Sequence, residues 1–340
     1  VRNNLIISTA MLVVSLLFSC TNRANTASEA IAIFVPGVLE GSPSYQMMNS
    51  GVQLAADAAG VEVKTIEGGY DQATWVNQLM SLASENQYGL IVTSNPAMSE
   101  ICTQVSSAYA DQDFLVLDGS GLVGASVSDV VYEHREQAFL VGYFAGLVTT
   151  SRELDRVNSS LKVGMIVGQE YPQMTREIQP GFEIGLHTVN PDIELEFKVL
   201  GNWYDAEKAR EYAMSLYNEG VDVILTIAGG ANQGVISAAQ ESDGYVLWFD
   251  SEGSHMAPGI VLASAIIRQE DAAREWVERW INNELNMGES WRVGVSEGYV
   301  DFPTESQLFK KHVPSSIQKQ MREIVSQLES GALSLRSLNG

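Results

Sequence analysis

The chain has 340 residues, 45% of them hydrophobic and 18% charged, with a formal net charge of −22. That balance is globular rather than disordered, and the length allows one large core or two ordinary ones. The excess of acid argues against nucleic acid, whose phosphates need Lys and Arg, and against an electrostatic hold on anionic lipid.

Arg2 precedes an apolar run over 5–18. This is the length of a signal-peptide core and too short to span a bilayer as a helix. The run ends in Leu17-Phe-Ser-Cys20, which resembles a bacterial lipobox. Cys20 would then become the first residue of the mature protein and carry a lipid. The bland alternative is an uncleaved anchor with an incidental cysteine. Residues 1–20 are thus expected to be a lipoprotein signal peptide, and the polar run 21–29 a tether. Cys102 is the one other cysteine. Acylation of Cys20 leaves it no intrachain partner, and its helical surroundings predict a buried, inert thiol.

The body opens with a β-branched strand over 31–35, a loop with two prolines and two glycines, and a helix that Ser44 can cap. Strands are expected at 61–66, 88–94 and 113–118, with helices over 71–83 and 98–110 between them. Crossovers of this length allow parallel pairing. A short extended run at 127–132 and a strongly apolar helix over 137–149 follow. The pattern then restarts. Strands are expected at 161–167, 194–200, 221–227 and 245–250, separated by helices over 176–189, 206–218 and 235–240. The tail reads as a strand at 260–266, a helix over 270–285, a strand at 293–300 and a helix over 316–333. These are two successive α/β halves, and the tail is expected to return to both lobes.

Two enzyme motifs are nominal. Gly119-Ser-Gly121-Leu-Val-Gly124 matches a dinucleotide fingerprint, but the residues after it read as extended, where the fingerprint needs a helix. Gly294-Val-Ser296-Glu-Gly298 matches a nucleophile elbow, yet no helix follows; a strand with a glycine at each end explains it better. The four histidines, 134, 187, 255 and 312, are scattered, and no Cys/His spacing suggests a metal site.

The polar residues instead gather at the carboxyl ends of strands, where open α/β sheets bind ligands. In the first half they are Ser42, Tyr45 and Gln46, then Ser94 and Asn95, then Asp118. In the second half they are Gln169, Asn202 and Trp203, Asn232, and Trp248 with Asp250. For each residue taken alone, ordinary loop and cap chemistry is the competing explanation, and strand alternation could bury Trp248. Tyr45 and Trp203 are expected to close on opposite faces of a planar ligand. Asp118, Asp205 and Asp250 keep open a different class of function, an exported nucleoside-processing enzyme.

The segments Glu133-His-Arg-Glu-Gln-Ala-Phe-Leu-Val-Gly-Tyr-Phe-Ala-Gly, Gln179-Pro-Gly-Phe-Glu-Ile-Gly, Tyr204-Asp-Ala-Glu-Lys-Ala, Glu219-Gly-Val-Asp-Val-Ile, Ala228-Gly-Gly-Ala-Asn-Gln-Gly-Val and Phe249-Asp-Ser-Glu resemble the basic membrane protein family of lipoprotein substrate-binding components of ABC importers. The resemblance covers roughly 30–305. It implies a type I periplasmic-binding-protein fold, with two lobes each built on a parallel sheet flanked by helices, and no catalysis. The first lobe is expected to comprise 30–132 plus 254–286, and the second 133–253 plus 287–330. The implied partners are a small-molecule ligand, an ABC permease and ATPase, and the membrane through the lipid on Cys20. No nucleic acid, metal or cofactor is implied, and a monomer is expected. The protein would face the periplasm from the inner membrane.

For the ligand, the departures matter. Nucleoside binders of the family resemble Asp-x-Ser-Phe-Asn in the first loop, where this chain has Ser42-Pro-Ser-Tyr-Gln46. They carry a lysine after the later strand, where Ile267 or Arg268 stands here. An acid and a lysine suited to ribose are absent, and aromatic surface has been added. The chain thus looks closer to the riboflavin-binding lipoproteins of the family, with purine nucleoside as the alternative ligand.

Overall fold

The computed structural model describes residues 30–335. The expected signal peptide, Cys20 and the tether lie outside the described residues. Two six-stranded sheets organise the molecule.

The first half runs β1 (Ala30–Val35), α1 (Pro43–Ala59), β2 (Val63–Glu67), α2 (Gln72–Ser84), β3 (Tyr88–Ser94), α3 (Pro96–Ser106), β4 (Asp113–Leu117) and β5 (Val127–Tyr132). The second half follows with α4 (His134–Thr149), β6 (Lys162–Val167), α5 (Gln179–Val189), β7 (Glu194–Val199), α6 (Ala206–Asn218), β8 (Val221–Ile227), α7 (Asn232–Glu241) and β9 (Tyr245–Asp250). The remainder is β10 (Val261–Ile267), α8 (Gln269–Ile281), β11 (Ser290–Val293), β12 (Val300–Asp301), α9 (Gln307–His312) and α10 (Ser315–Glu329).

The first sheet has the order β11-β5-β4-β3-β1-β2 and the second β12-β10-β9-β8-β6-β7. Every pairing is parallel except β10 with β12. The inner strands β3 and β8 are buried along their whole length, as helices on both faces of a parallel sheet require.

The expected lobe boundaries need correction in the tail. Residues 254–286 do not all return to the first lobe, because β10 lies between β9 and β12 in the second sheet. Residues 287–330 do not all join the second, because β11 runs parallel beside β5 in the first. An apolar strand pattern says that a strand is buried but not which sheet accepts it. The chain thus crosses between lobes near 132–134, 267–269 and 293–300.

The strand expected at 293–300 is a turn between the two sheets. Tyr299 and Val300 both donate from their backbone N–H to Gly294 O, at 3.0 and 3.1 Å, and Gly298 has φ +81°. The Gly-Val-Ser-Glu-Gly motif is therefore a hinge crossing.

Two helix pairs show why small residues recur in the sequence. A Cβ on Gly142 of α4 would sit 2.2 Å from Phe182 O, and one on Gly185 of α5 would sit 2.4 Å from Phe139 O. These backbones are in contact, so only glycine fits. Likewise α1 meets α8 where a Cβ on Gly51 would lie 2.2 Å from Glu270 O. Cys102 is buried against the first sheet, and burial pushes its thiol up.

Candidate ligand cleft

The strand ends of the two lobes meet at the hinge where Asp118, beyond β4, and Asp250, at the end of β9, are linked through His134 and Gln137. The first-lobe jaw is the turn that enters α1. Pro43 stands in the first helical turn and Ser42 occupies the N-cap without a side-chain bond, so its hydroxyl is left over. Tyr45 donates its hydroxyl to Pro36 O at 3.2 Å, and its ring lies against Gly37. Burial pushes its hydroxyl up, with the Asn95 side chain opposing and Asp118 and Tyr70 adding to the rise. Gln46 is exposed on the same turn.

Gln269, at the start of α8, holds this jaw from behind. Its Nε2 donates to Ser44 O at 3.1 Å and to Ser94 Oγ at 3.0 Å. Ser94 is 2% exposed, so it braces the loop from below. Asn95 caps α3 by accepting from Ala97 N–H at 2.9 Å, with φ +112°. Its neighbour strand ends in Asp118, also left-handed at φ +53°. The glycine loop after Asp118 wraps buried Asp129, whose Oδ2 accepts from Gly121 N–H at 2.8 Å and from Ser99 Oγ at 3.1 Å. The dinucleotide-like motif is thus a structural turn over a carboxylate.

The second-lobe jaw is built differently. Asn202 Oδ1 accepts from the N–H of Tyr204 and Asp205, which folds its own turn. Asp205 then caps α6 by accepting from Lys208 N–H at 3.0 Å. Trp203 is 37% exposed. Its ring covers Gly168, where a Cβ would be 2.5 Å away, and it lies 6.3 Å from the ring of Tyr171 at 45°. Gln169 is exposed beside them. Tyr171 was not singled out by the sequence; burial pushes its hydroxyl up, and Asp250 and Asp118 push it the same way. It stands where both strand-end carboxylates are felt, just before a π-helical turn over Met174–Ile178, a distortion frequent at functional sites.

Two of the expected ligand residues are largely buried in the second lobe. Asn232 is 7% exposed, and its Oδ1 accepts from Thr226 Oγ1 at 2.6 Å and Ala228 N–H at 2.8 Å. It locks its own loop because a buried amide must find partners. Trp248 is 8% exposed and belongs to the second-lobe core. It is covered by Gly253, whose added Cβ would lie 2.3 Å from Trp248 Cγ. Its Nε1 donates to Ser251 Oγ at 3.3 Å.

The centre of the cleft floor is a chain of polar side chains at the hinge. His134 Nε2 lies 2.7 Å from Asp118 Oδ1, and His134 Nδ1 lies 2.9 Å from Gln137 Oε1. Gln137 Nε2 donates to Asp250 Oδ1 and to Ala265 O, each at 3.0 Å. Burial raises the Asp250 carboxyl and Asp118 adds to the rise, while His134 and Gln137 oppose. In the sequence His134 stands out only as one of four scattered histidines and in the family segment, and Gln137 as the start of an apolar helix. The signal was available: a helix otherwise apolar throughout opens with His, Arg, Glu and Gln. No cluster of three or more His, Cys, Asp or Glu fit to hold a metal occurs among the described residues.

The comparisons with known proteins agree with this geometry. A family described as "Bmp: ABC transporter substrate-binding protein PnrA-like" matches residues 28–334. Basic membrane protein A1 of Borrelia garinii subsp. bavariensis is 22% identical over 92% of this chain and 90% of its own. Basic membrane protein D of Borreliella burgdorferi is 23% identical over 83% and 81%. Among solved structures, an ABC transporter system solute-binding protein from Aeropyrum pernix K1 superposes with TM-score 0.78 at 18% identity, covering 90% of this chain and 92% of that one. A second solute-binding protein, from Conexibacter woesei, gives 0.69 at 19% identity over 90% and 98%. These likenesses show the type I periplasmic-binding-protein fold, and with the family match the chain belongs to the PnrA-like ABC transporter substrate-binding proteins.

Proposed function

We propose that this protein captures a planar heterocyclic solute, riboflavin in the first instance, and delivers it to an ABC permease and ATPase. The observation that carries the proposal is that Tyr45 on one lobe and Tyr171, beside Trp203, on the other both feel the charge of Asp118. Offset stacking on each face of a ring contributes about 0.5–1.5 kcal/mol beyond area burial. Asp118 and Asp250 supply acceptors for ring-edge N–H and for hydroxyl groups of the side chain. Ser42, Gln46 and Gln169 are free to complete the rim.

Paired carboxylates suit the hydroxyls of a ribose as well, so a purine nucleoside is the second reading. Titration separates the two. Riboflavin fluorescence should be quenched strongly on binding, and inosine or guanosine should compete weakly. Absent quenching together with tight nucleoside binding would transfer the proposal to the nucleoside. Purified protein should return either compound unchanged; turnover would favour the enzyme reading, although Asp205 is committed to a helix cap.

The Leu17-Phe-Ser-Cys20 motif supports lipidation and an extracytoplasmic site on the cell membrane. Metabolic labelling with a fatty acid should mark the wild type and not Cys20→Ala. Persistent labelling of the variant would overturn the anchor.

A further inference from the structure

Asp118 follows β4 and Asp250 ends β9, the third strand of each sheet, and both adopt left-handed backbone, at φ +53° and +67°. Such conformations are uncommon outside glycine. Both carboxylates reach the same place, the first turn of α4, where His134 and Gln137 stand one helical turn apart.

The hydrogen-bond roles in this chain are fixed by chemistry. Ala265 O can only accept, so the Gln137 group 3.0 Å from it is the NH2. The same nitrogen faces Asp250 Oδ1. A flipped amide would place oxygen against oxygen at both contacts. Gln137 therefore turns its oxygen to His134 Nδ1, and Nδ1 must donate. His134 Nε2 faces a carboxylate oxygen of Asp118 at 2.7 Å, another acceptor. Both ring nitrogens donate only in the imidazolium form.

The surroundings favour that form. Burial pulls the imidazole down, but the charge and hydrogen bond of Asp118, the charge of Asp250 and the bond to Gln137 outweigh it, and His134 is pushed up to about 9. The Tyr132 ring meets it edge-on at 6.2 Å. The flanking acids look elsewhere: Glu133 pairs with Arg292 Nη1 at 3.3 Å, and Glu136 accepts from Val295 N–H at 2.8 Å. Tyr45 and Tyr171, whose hydroxyls also feel Asp118, are held neutral by burial.

We infer that His134 carries a second proton and acts as a positioning residue, tying Asp118 of the first lobe to Asp250 of the second as one unit in which the imidazolium offsets carboxylate charge. Asp118 and Asp250 each use Oδ1 in this chain and keep Oδ2 without a partner among the described residues. The unit thus selects a ligand that donates hydrogen bonds and carries no negative charge. The proposal rests on the cleft reading above, because it assigns the unit to the same site. The His134–Asp118 bond also crosses between lobes beside the 132–134 connection, so the proton joins ligand recognition to the hinge.

The protonation is tested without any ligand. In protein labelled with 15N-histidine, with the resonance assigned by its loss in His134→Gln, both His134 ring nitrogens should be protonated at pH 7.5. The transition should come near pH 9 and move down toward 6.5 in Asp118→Asn. One unprotonated ring nitrogen at pH 7.5 in the wild type would overturn the proposal. The positioning role is tested with riboflavin and guanosine, each beside its monophosphate. The neutral member should bind, and its phosphate at least ten-fold more weakly. His134→Gln, shown folded by circular dichroism, should weaken the neutral ligand ten-fold or more. It should also lack the fall in affinity that the wild type shows above pH 9, while sharing the ligand's own titration. Wild-type affinity in His134→Gln, or equal binding of the phosphate, would sink the role. If neither neutral compound binds while the imidazolium is seen, the ligand reading fails and the protonation assignment stands.

Discussion

The two jaws occupy equivalent places in two α/β lobes, yet they are built on opposite plans. In the first lobe the side chains of the first strand-end loop stay available, while Asn95 caps its own helix. Ser42 caps without a side-chain bond, Gln46 is exposed, and the loop is braced from behind by Gln269 on a helix that comes from elsewhere in the chain. In the second lobe the strand-end residues hold their own loops. Asn202, Asp205 and Asn232 bond local backbone, and Trp203 and Trp248 fill the space left by Gly168 and Gly253. The end of a strand specifies a location, while the direction of a side chain depends on which groups nearby still lack partners.

The sharpest way to break this comparison is at the tryptophans. Trp248→Ala should destabilise the protein by about 3–5 kcal/mol, the cost of emptying a large buried site, measured by denaturant unfolding. Trp248→Phe should leave ligand affinity unchanged. A variant that lost affinity at normal stability would return Trp248 to the cleft.

The hinge unit, shared by both lobes, gives a pH signature. His134 lies above its ordinary value of 6.5, at about 9, so the folded state binds the proton more tightly than the unfolded chain. Its stabilisation is fully present below about pH 6.5 and is lost as pH rises through about 9. A shift of this size is worth on the order of 3 kcal/mol. Thermal unfolding between pH 6.5 and 9.5 should show that loss in the wild type and not in His134→Gln.

Ligand contacts should rank below these. Tyr45→Ala and Tyr171→Ala are each expected to weaken binding roughly ten-fold, about 1.4 kcal/mol, with the loss read by fluorescence titration. Equal losses would mean that the ring sits between the lobes. A loss confined to Tyr45 would leave the second jaw as a passive wall. The smallest effect is expected from Gln269→Leu, which removes the brace under the first jaw. One lost neutral bond is worth about 0.5–1.5 kcal/mol. Affinity should fall by several-fold, mainly through faster release measured by stopped flow. A change in unfolding stability alone would assign Gln269 to the lobe rather than the jaw.

Several elements could be read directly from residues. The β-branched run at 31–35 gave a strand within a residue of where it lies, whereas the cap expected at Ser44 falls at Ser42, because Pro43 already stands in the first helical turn. The helix expected from 137 begins at His134 instead. The apolar periodicity that marked it does not reach its polar first turn, and that turn holds the hinge unit. Trp203, flanked by Asn and Tyr-Asp, looked like a ligand face; it serves in part to cover Gly168, a contact between residues far apart in sequence. Trp248 was ambiguous because strand alternation permitted burial without requiring it, and Gly253 leaves the room that the buried ring takes.

The sequence by itself determined the alternation of strands and helices, the two halves and the siting of polar loops at carboxyl ends of strands. Those properties follow from local periodicity and from turn residues. The tertiary structure decided which sheet takes β10 and β11, which strand-end side chains stay free, and that His134 and Gln137 link two aspartates 132 residues apart. Edge pairing, packing against a distant glycine and the charge state of a buried imidazole depend on partners that only folding brings within hydrogen-bond reach.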